Sequence, residues 1–260
     1  MKKLLCVLIA VSLFVLSACE KKEDVSQSEA KITDSSGIVQ SEETEKTTKD
    51  DEFTIENGVL LKYMGDSKDV VIPDGVAKIG ANAFESCESL TSVEIPNTVT
   101  EIEDYAFQSC KSLTSVEIPS SVTKLGTCAF CSCTALTNVE IPDSVSEIGP
   151  NAFTNTPWLD HTTDEFVIVG NHILIKYNGN DTDVKIPDTV TKIAGGFADC
   201  DWIISVEIPD SVTEIGNGAF SFCTSLTNVK MSTENIKIGD SAFLHTPWGD
   251  ENGYNANNYS

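Results

Sequence analysis

A chain of 260 residues with 40 acidic side chains, 17 lysines and no arginine carries a formal net charge of −23 at pH 7. Phosphate binding requires clustered lysine and arginine, so this composition argues against binding of double-stranded nucleic acid and against electrostatic adsorption to an anionic membrane surface. A strongly acidic surface fits a soluble protein outside the cell, where like charges keep molecules apart.

The first 18 residues have the organisation of an export signal. The basic start Met1-Lys2-Lys3 precedes an apolar run from Leu4 to Leu16, which is too short to span a bilayer comfortably but suits a signal peptide. The run ends in Leu16-Ser17-Ala18-Cys19, which resembles the lipobox of bacterial lipoproteins. This resemblance implies cleavage before Cys19 and attachment of diacylglycerol to its thiol, which would anchor the protein to the outer side of a bacterial membrane. The alternative is an ordinary secretory signal with a chance cysteine.

Residues 19–52 are rich in Glu, Lys, Ser, Thr and Asp and contain no aromatic residue. Such a stretch cannot bury enough apolar surface to offset the entropy that ordering would cost, so we predict a disordered acidic tether. The tether would hold the folded part of the protein away from the membrane.

Two segments alternate apolar and polar residues on either side of a short turn, which predicts two β-hairpins. The first covers residues 53–63 around Asn57-Gly58, and a near copy covers residues 166–177 around Gly170-Asn171. We predict that the first hairpin caps the open apolar end of the structure. The second is either an internal cap or a joint between two repeat arrays.

The chain after the first hairpin repeats one pattern, with a fixed step of 23 residues in its most regular part. A fixed period of this size predicts a solenoid, in which each repeat buries its apolar face only against its neighbours. The phenylalanines of successive copies are expected to stack into an aromatic spine. The copies begin at Ile72, Ile95, Ile118, Ile141, Ile186, Ile208 and a degraded Met231, and their phenylalanines are Phe84, Phe107, Phe130, Phe153, Phe197, Phe220 and Phe243.

Both arrays end in Thr-Pro-Trp, at residues 156–158 and 246–248. Proline cannot continue a hydrogen-bonded ladder, and tryptophan supplies a large apolar face that closes the stack. We therefore predict a signal peptide (1–18), a disordered tether (19–52), a hairpin cap with the first array (53–158), a hairpin with the second array (159–250) and a polar tail (251–260).

A single repeat shows the pattern. Leu90-x-x-Val93-x-Ile95 has the spacing of a leucine-rich repeat strand, Val99 and Ile102 form a second inward pair, and Ala106-Phe107 is predicted on a helical or 3₁₀ turn. This pattern resembles the BspA-like leucine-rich repeats of bacterial surface proteins, over residues 53–248. The resemblance implies a mainly β fold with short helical or 3₁₀ turns. It would be a right-handed, curved leucine-rich-repeat solenoid with a β-hairpin cap, an internal hairpin insertion and parallel strands on its concave side. Many family members are described as surface adhesins or host-interaction proteins.

Cysteine recurs at one position of the repeat. Stacked thiols about 5 Å apart lie near the reach of a disulfide, but we favour small buried hydrophobes that close each coil. The five are Cys87, Cys110, Cys133, Cys200 and Cys223.

Two further cysteines, Cys128 and Cys131, stand outside that series and form Cys-x-x-Cys-x-Cys with Cys133. A zinc site needs four ligands in two pairs, and the sequence offers no second pair. A metal- or thiol-dependent site and a local disulfide between Cys128 and Cys131 are both kept as alternatives.

Motifs of catalysis are missing from the sequence. It has no Walker sequence, no dinucleotide glycine fingerprint and no His-Glu-x-x-His, and its three histidines lie in no motif with Ser, Cys or Asp. We therefore predict that the protein is not an enzyme, that it has no catalytic residue, and that it needs no cofactor or metal.

The strands of the concave side carry the candidate binding residues. Glutamate recurs between the two inward strand residues, and small polar residues precede it, so an acidic strip is predicted. The strip would bind a basic segment of an extracellular or host protein, or hold Ca²⁺ through oxygen ligands. The alternative is a solvated face that only keeps the protein soluble. The predicted residues are Ser92, Glu94, Ser115, Glu117, Asn138, Glu140, Ser205 and Glu207.

Together these features predict a cell-surface lipoprotein whose solenoid is a protein-binding or adhesion scaffold. A structural surface protein without a single specific ligand is the second interpretation, and a metal- or thiol-dependent site at Cys128, Cys131 and Cys133 is the third.

Overall fold

The computed structural model describes residues 52–232 and 236–254. The predicted signal peptide, the predicted lipidation site Cys19 and nearly all of the predicted tether lie outside this range, as does most of the predicted polar tail. In the part that is described, neither helix has the length or apolar character of a membrane-spanning segment.

The folded region is a β-solenoid, so the predicted fold class is confirmed. Each coil contributes two short strands, and short helices occur at the array ends. In chain order the elements are β1 (Phe53–Glu56), β2 (Val59–Tyr63), β3 (Asp69–Val71), β4 (Lys78–Ile79), β5 (Ser92–Glu94), β6 (Glu101–Ile102), β7 (Ser115–Glu117), β8 (Lys124–Leu125), β9 (Asn138–Glu140), β10 (Glu147–Ile148), α1 (Pro157–Asp160), β11 (Phe166–Val169), β12 (Ile173–Tyr177), β13 (Asp183–Lys185), β14 (Lys192–Ile193), β15 (Ser205–Glu207), β16 (Glu214–Ile215), β17 (Asn228–Lys230), β18 (Lys237–Ile238) and α2 (Pro247–Asn252).

The strands form two faces. One face, here called the lysine–glutamate sheets, consists of a six-stranded sheet in the order β1-β2-β4-β6-β8-β10 and a five-stranded sheet in the order β11-β12-β14-β16-β18. The other, here called the Ile-Pro face, consists of the pairs β3-β5 and β7-β9 and the three-stranded sheet β13-β15-β17. Within each sheet, strands of neighbouring coils pair in parallel and in register, as in Lys78 opposite Glu101. Equivalent residues of successive coils therefore lie side by side in rows.

Both predicted hairpins are confirmed. In the first, β1 and β2 pair antiparallel around Asn57 and Gly58, whose φ angles of 51° and 77° are those of a two-residue type I′ turn. Strand β2 then pairs in parallel with β4, so the hairpin caps the first array and continues its sheet.

The second hairpin has a three-residue loop, 170–172, with positive φ at Gly170 and His172. The extra residue explains a shift in the duplication: Phe166 follows Phe53 by 166 − 53 = 113 residues, whereas Ile173 follows Val59 by 173 − 59 = 114.

This second hairpin is a joint between the arrays. Val167 and Ile173 belong to the hydrophobic core of the first array, whereas Leu174 and Tyr177 belong to that of the second. The loop also lies against the last coil of the first array. A Cβ on Gly170 would stand 2.6 Å from the carbonyl oxygen of Val145, so only glycine fits there.

The aromatic spine is confirmed. In the first array the rings of Phe84, Phe107, Phe130 and Phe153 are stacked with centroids 4.8 to 5.4 Å apart and interplanar angles of 9° or less. All four side chains are buried. Tyr63 of the hairpin stacks on the first ring and extends the spine to the cap.

The segment around each Ala-Phe pair differs from the expected helical or 3₁₀ turn. It is a run of β-turns, closed in one coil by the amides of Ala83, Glu85 and Cys87. The alternate amides, those of Asn82, Phe84 and Ser86, donate instead to carbonyls of the following coil. Because these amides are used between coils, they cannot build an intrahelical ladder, and Asn82 and Ser86 adopt positive φ.

The predicted closure by tryptophan is also confirmed. Thr156 is buried and caps α1 by accepting a hydrogen bond from Leu159 N at 3.3 Å. The ring of Trp158 then meets Phe153 edge-on, with centroids 4.9 Å apart. Trp248 at α2 contacts Phe243 in the second array, at 4.6 Å.

Replacing Phe107 with alanine should lower the free energy of unfolding by about 3–5 kcal/mol, because it removes a buried ring that is stacked on both sides. Urea denaturation measures this loss. Phe222 is a matched control, since it is 47% exposed and outside the spine, and Phe222→Ala should cost less than about 1 kcal/mol. Equal losses in the two variants would contradict a stabilising role for the spine.

Candidate functional site

The glutamates predicted to form a strip lie on the Ile-Pro face. In β5, β7 and β9 the flanking side chains point outward around a central valine, as alternation along a strand requires. Glu117 lies opposite Glu140 in register, and Glu94 lies opposite Val71. All three glutamates are exposed. We call Glu94, Glu117 and Glu140 the acidic row.

The acidic row has no cationic partner among the described residues. The equivalent row of the second array is different, because Glu207 lies in register between Lys185 and Lys230. Lys230 Nζ is 3.0 Å from Glu207 Oε1, and this hydrogen bond holds the pKa of Glu207 below its ordinary value. The four predicted glutamates thus divide into three unpaired carboxylates and one that is paired.

The small polar residues of the predicted strip also fall into two groups. Ser92 Oγ donates to Asp69 Oδ1 at 2.6 Å, and Ser205 Oγ makes the same bond to Asp183. These hydroxyls keep the pKa of each aspartate below its usual range. Ser115 and Asn138 are exposed beside the acidic row.

Sequence reasoning missed the two aspartates, Asp69 and Asp183. Each occupies the first coil of its array, three residues before the isoleucine of Ile-Pro. This identical position relative to Ile-Pro in the first coil of both arrays is visible in the sequence and could have identified the two aspartates.

The lysine–glutamate sheets carry a second charged row that the sequence analysis also missed. Glu101 Oε2 lies 2.7 Å from Lys78 Nζ, and its Oε1 lies 3.1 Å from Lys124 Nζ. Glu214 is held in the same way between Lys192 at 3.4 Å and Lys237 at 2.9 Å. The residue before the inward isoleucine or leucine alternates between lysine and glutamate, and this alternation is visible in the sequence.

Two cavities are associated with these faces. One of about 320 Å³ lies where the two arrays meet and is lined by Lys124 and Glu147 of the first array and by Lys192, Glu214 and Lys237 of the second. The other, of about 570 Å³, is lined by Lys185, Glu207 and Lys230 on the Ile-Pro face. Neither is lined by the acidic row.

The buried cysteines act as small hydrophobes that close each coil, as predicted. Cys110 Sγ donates to Phe84 O at 3.1 Å, and Cys133 Sγ donates to Phe107 O at 3.1 Å. Both side chains are fully buried thiols and neither forms a disulfide. Burial raises the pKa of Cys223 to about 12.

Cys128 and Cys131 are not joined by a disulfide either. Across residues 52–232 and 236–254, no three His, Cys, Asp or Glu side chains are placed to hold a metal ion.

The repeated sequence of the coils matches the model of a known family. The model of the BspA-type leucine-rich repeat region matches residues 54–173 and 177–250, in six copies. The chain belongs to this family. A BspA-type leucine-rich repeat solenoid is a scaffold for protein interaction.

Solved structures similar to this BspA-type chain are bacterial leucine-rich repeat proteins. A leucine-rich cell surface protein of Faecalibacterium prausnitzii A2-165 is 31% identical, with 68% of this chain and 45% of that chain covered and a TM-score of 0.35. A protein of Bacteroides ovatus is 24% identical, with 74% and 66% covered and a TM-score of 0.42. The leucine-rich repeat protein of T. pallidum is 21% identical, with 81% and 96% covered and a TM-score of 0.38.

The chain therefore spans less than half the length of the Faecalibacterium protein. No curated protein matches it significantly.

In this BspA-type protein, Glu101→Gln should lower stability near neutral pH by up to about 1 kcal/mol, the range for ion pairs partly screened by water. The lysines, chiefly Lys78, hold the pKa of Glu101 below its ordinary value. The stabilisation is thus complete above the unfolded-state pKa of about 4.5 and disappears as the pH falls through the lower folded-state pKa.

Thermal unfolding of both proteins at pH 7 and at about pH 3 measures this difference, which should shrink on acidification. Glu117→Gln removes the same charge from a residue without an ion pair and should cause no loss of stability. A difference between wild type and Glu101→Gln that does not change with pH would contradict the prediction.

Proposed function

We propose that this protein is an exported lipoprotein, anchored through Cys19 to the outer side of a bacterial membrane. Its solenoid presents the acidic row of the first array to a basic segment of an extracellular or host protein. The observation that supports this proposal most directly is the acidic row itself, whose three carboxylates are exposed and form no ion pair with any residue that the structure describes.

The spacing of the row favours a protein segment as ligand. Glu117 and Glu140 lie opposite each other on paired strands, which are about 4.8 Å apart, and Glu94 occupies the same position one coil earlier. Flexible lysine and arginine side chains of one short segment can reach such a row together. The net charge of −23 adds attraction at longer range and accelerates encounter with a basic partner.

The structure of the second array supports the choice of the first. Lys185 and Lys230 flank Glu207 at the equivalent position, so a basic ligand would have to displace an existing ion pair there. No such displacement is needed at Glu94, Glu117 or Glu140. Ligand contacts are therefore assigned first to the acidic row with Ser92, Ser115 and Asn138, and Ser205 and Glu207 become the weaker half of the predicted site.

The proposed anchor rests on the lipobox-like sequence that ends in Cys19. Each buried methylene of an attached acyl chain contributes about 0.8 kcal/mol, so two or more chains hold a protein stably in a membrane. The second interpretation, a structural surface protein with no single specific ligand, shares this anchor but assigns no binding role to the acidic row.

The anchor is tested by Cys19→Ala in the producing bacterium. The wild-type protein should partition into the detergent phase on phase separation, whereas Cys19→Ala should partition into the aqueous phase or stay unprocessed. Cys6→Ala, which alters only the apolar run, is the matched control and should behave as wild type. Detergent partitioning of a processed Cys19→Ala protein would contradict lipidation at this residue.

Binding is tested with the chain from Glu20 onward against a panel of extracellular-matrix and cell-surface proteins. A partner should bind the wild type in a salt-sensitive way, and Glu94→Gln/Glu117→Gln/Glu140→Gln should lose most of that binding. The matched control Glu85→Gln/Asp201→Asn/Asp240→Asn removes three exposed charges outside the strands and should retain it.

A partner that binds wild type and the Glu94/Glu117/Glu140 variant equally would overturn the assignment to the acidic row. Equal losses of partner binding in both triple variants would show that only the net charge of the protein matters for binding. No partner at all would favour the structural interpretation.

A further inference from the structure

Cys128 and Cys131 differ from the cysteines that close the coils. Cys128 occupies the repeat position of Asn82, Tyr105 and Asn151, and Cys131 occupies that of Glu85, Gln108 and Thr154. These positions accept side chains of very different size and polarity, so packing does not demand cysteine at either of them. The third coil nevertheless places a thiol at both.

The local backbone brings the two thiols together. Cys131 N donates to Cys128 O at 3.1 Å, which closes a four-residue β-turn with the cysteines at its ends. The ends of such a turn lie within about 7 Å between Cα atoms, and disulfides span about 4.4–6.8 Å. The two side chains also interact with each other, as the opposite shifts of their pKa values show, so both thiols face one another within the closed turn.

The two thiols are unequal in exposure and in acidity. Cys131 is only 6% exposed, whereas Cys128 is partly exposed. The hydrogen bond with Cys131 lowers the pKa of Cys128, against the opposing effects of burial and of Asp104, and the same contact with burial raises the pKa of Cys131. Tyr105 also faces the pair, and its ordinary titration lies far above neutral pH. An accessible, more acidic thiol beside a buried protonated one is the arrangement that thiol–disulfide exchange needs.

We propose that Cys128 and Cys131 form a thiol–disulfide exchange site whose substrates are small-molecule or protein disulfides. The Cys128 thiolate attacks one sulfur of the substrate disulfide, forms a mixed disulfide and releases one thiolate. The Cys131 thiol then loses its proton to solvent and attacks Cys128 Sγ, releasing the second thiolate. In sum, two protein thiols and one substrate disulfide give one protein disulfide and two substrate thiols, and the substrate is the oxidant.

Cys133 takes no part in this exchange. Its side chain is fully buried and its Sγ donates to Phe107 O at 3.1 Å, so reaction at Cys133 would break a contact between coils. The other buried thiols, such as Cys110 and Cys223, make the same contact and serve as internal references.

The test uses the reduced full-length protein, treated with oxidised glutathione under native conditions. Free thiols are then alkylated in denaturant, and the protein is cleaved after lysine. The fragment 125–176 contains Cys128, Cys131 and Cys133 and ends at Lys176. Within minutes this fragment should retain one alkylated cysteine and one internal disulfide, whereas fragments with Cys110 and Cys223 should be fully alkylated. Under native alkylation, Cys128 should react more than about tenfold faster than Cys223, since one pKa unit changes the thiolate fraction tenfold.

Two single variants separate the roles of the thiols. Cys131→Ser should trap glutathione on Cys128 as a lasting mixed disulfide, and Cys128→Ser should form neither product. Circular dichroism verifies that both variants remain folded. The proposal is overturned if the folded protein stays fully reduced in oxidised glutathione. It is also overturned if Cys128→Ser still forms an internal disulfide in fragment 125–176, or if the disulfide appears only after denaturation.

Discussion

In-register stacking of coils is the constraint on which the rest of this protein depends. Each coil buries its apolar residues against the coils before and after it, and the phenylalanine rings 4.8 to 5.4 Å apart are the largest of these contacts. Backbone amides that do not close turns within a coil donate to the neighbouring coil, as Phe84 N donates to Ala106 O at 2.7 Å. Each residue therefore lies beside the equivalent residue of the next repeat. A change at one position is felt mainly along its own row.

This constraint turns small sequence differences into surface chemistry. Alternating lysine and glutamate before the inward residue gives the ion pairs of Glu101 and Glu214, which support the stack from outside. Repeated glutamate on the Ile-Pro face gives the opposite result, because Glu117 and Glu140 face each other with like charge. Like charges opposite one another on a sheet destabilise it. The same repeat period thus places a stabilising row of ion pairs on one face and a destabilising row of like charges on the other.

The sequence alone was sufficient for the parts of the fold that repeat or that use strong local signals. The period predicted the solenoid and the spine, Asn57-Gly58 predicted the first turn, and Trp158 predicted the closure of the array. The Ala-Phe segment was assigned to the wrong kind of turn, because its amides bond to another coil and no local pattern reveals that choice. The candidate site was predicted less well. The sequence already has Lys185 and Lys230 at the equivalent position of the neighbouring repeats, yet Glu207 was grouped with Glu117, and the structure shows that Lys230 pairs with Glu207.

The contrast between the two arrays is the strongest physical reason to seek function in the first. Both descend from one pattern, and both accept lysine at the strand position in question, since Lys185 and Lys230 occupy it in the second array. If lysine alternated with glutamate at this position of the first array, the repulsion between neighbouring carboxylates would be removed. Packing would be unaffected, because these side chains point outward. The first array instead places Glu94, Glu117 and Glu140 in consecutive coils. It also differs from the second in the thiols of Cys128 and Cys131, at positions where other coils close and stack with different side chains. The acidic row and the thiol pair are thus two features of the first array that its fold does not require, and they are where tests of ligand binding and of thiol chemistry should begin.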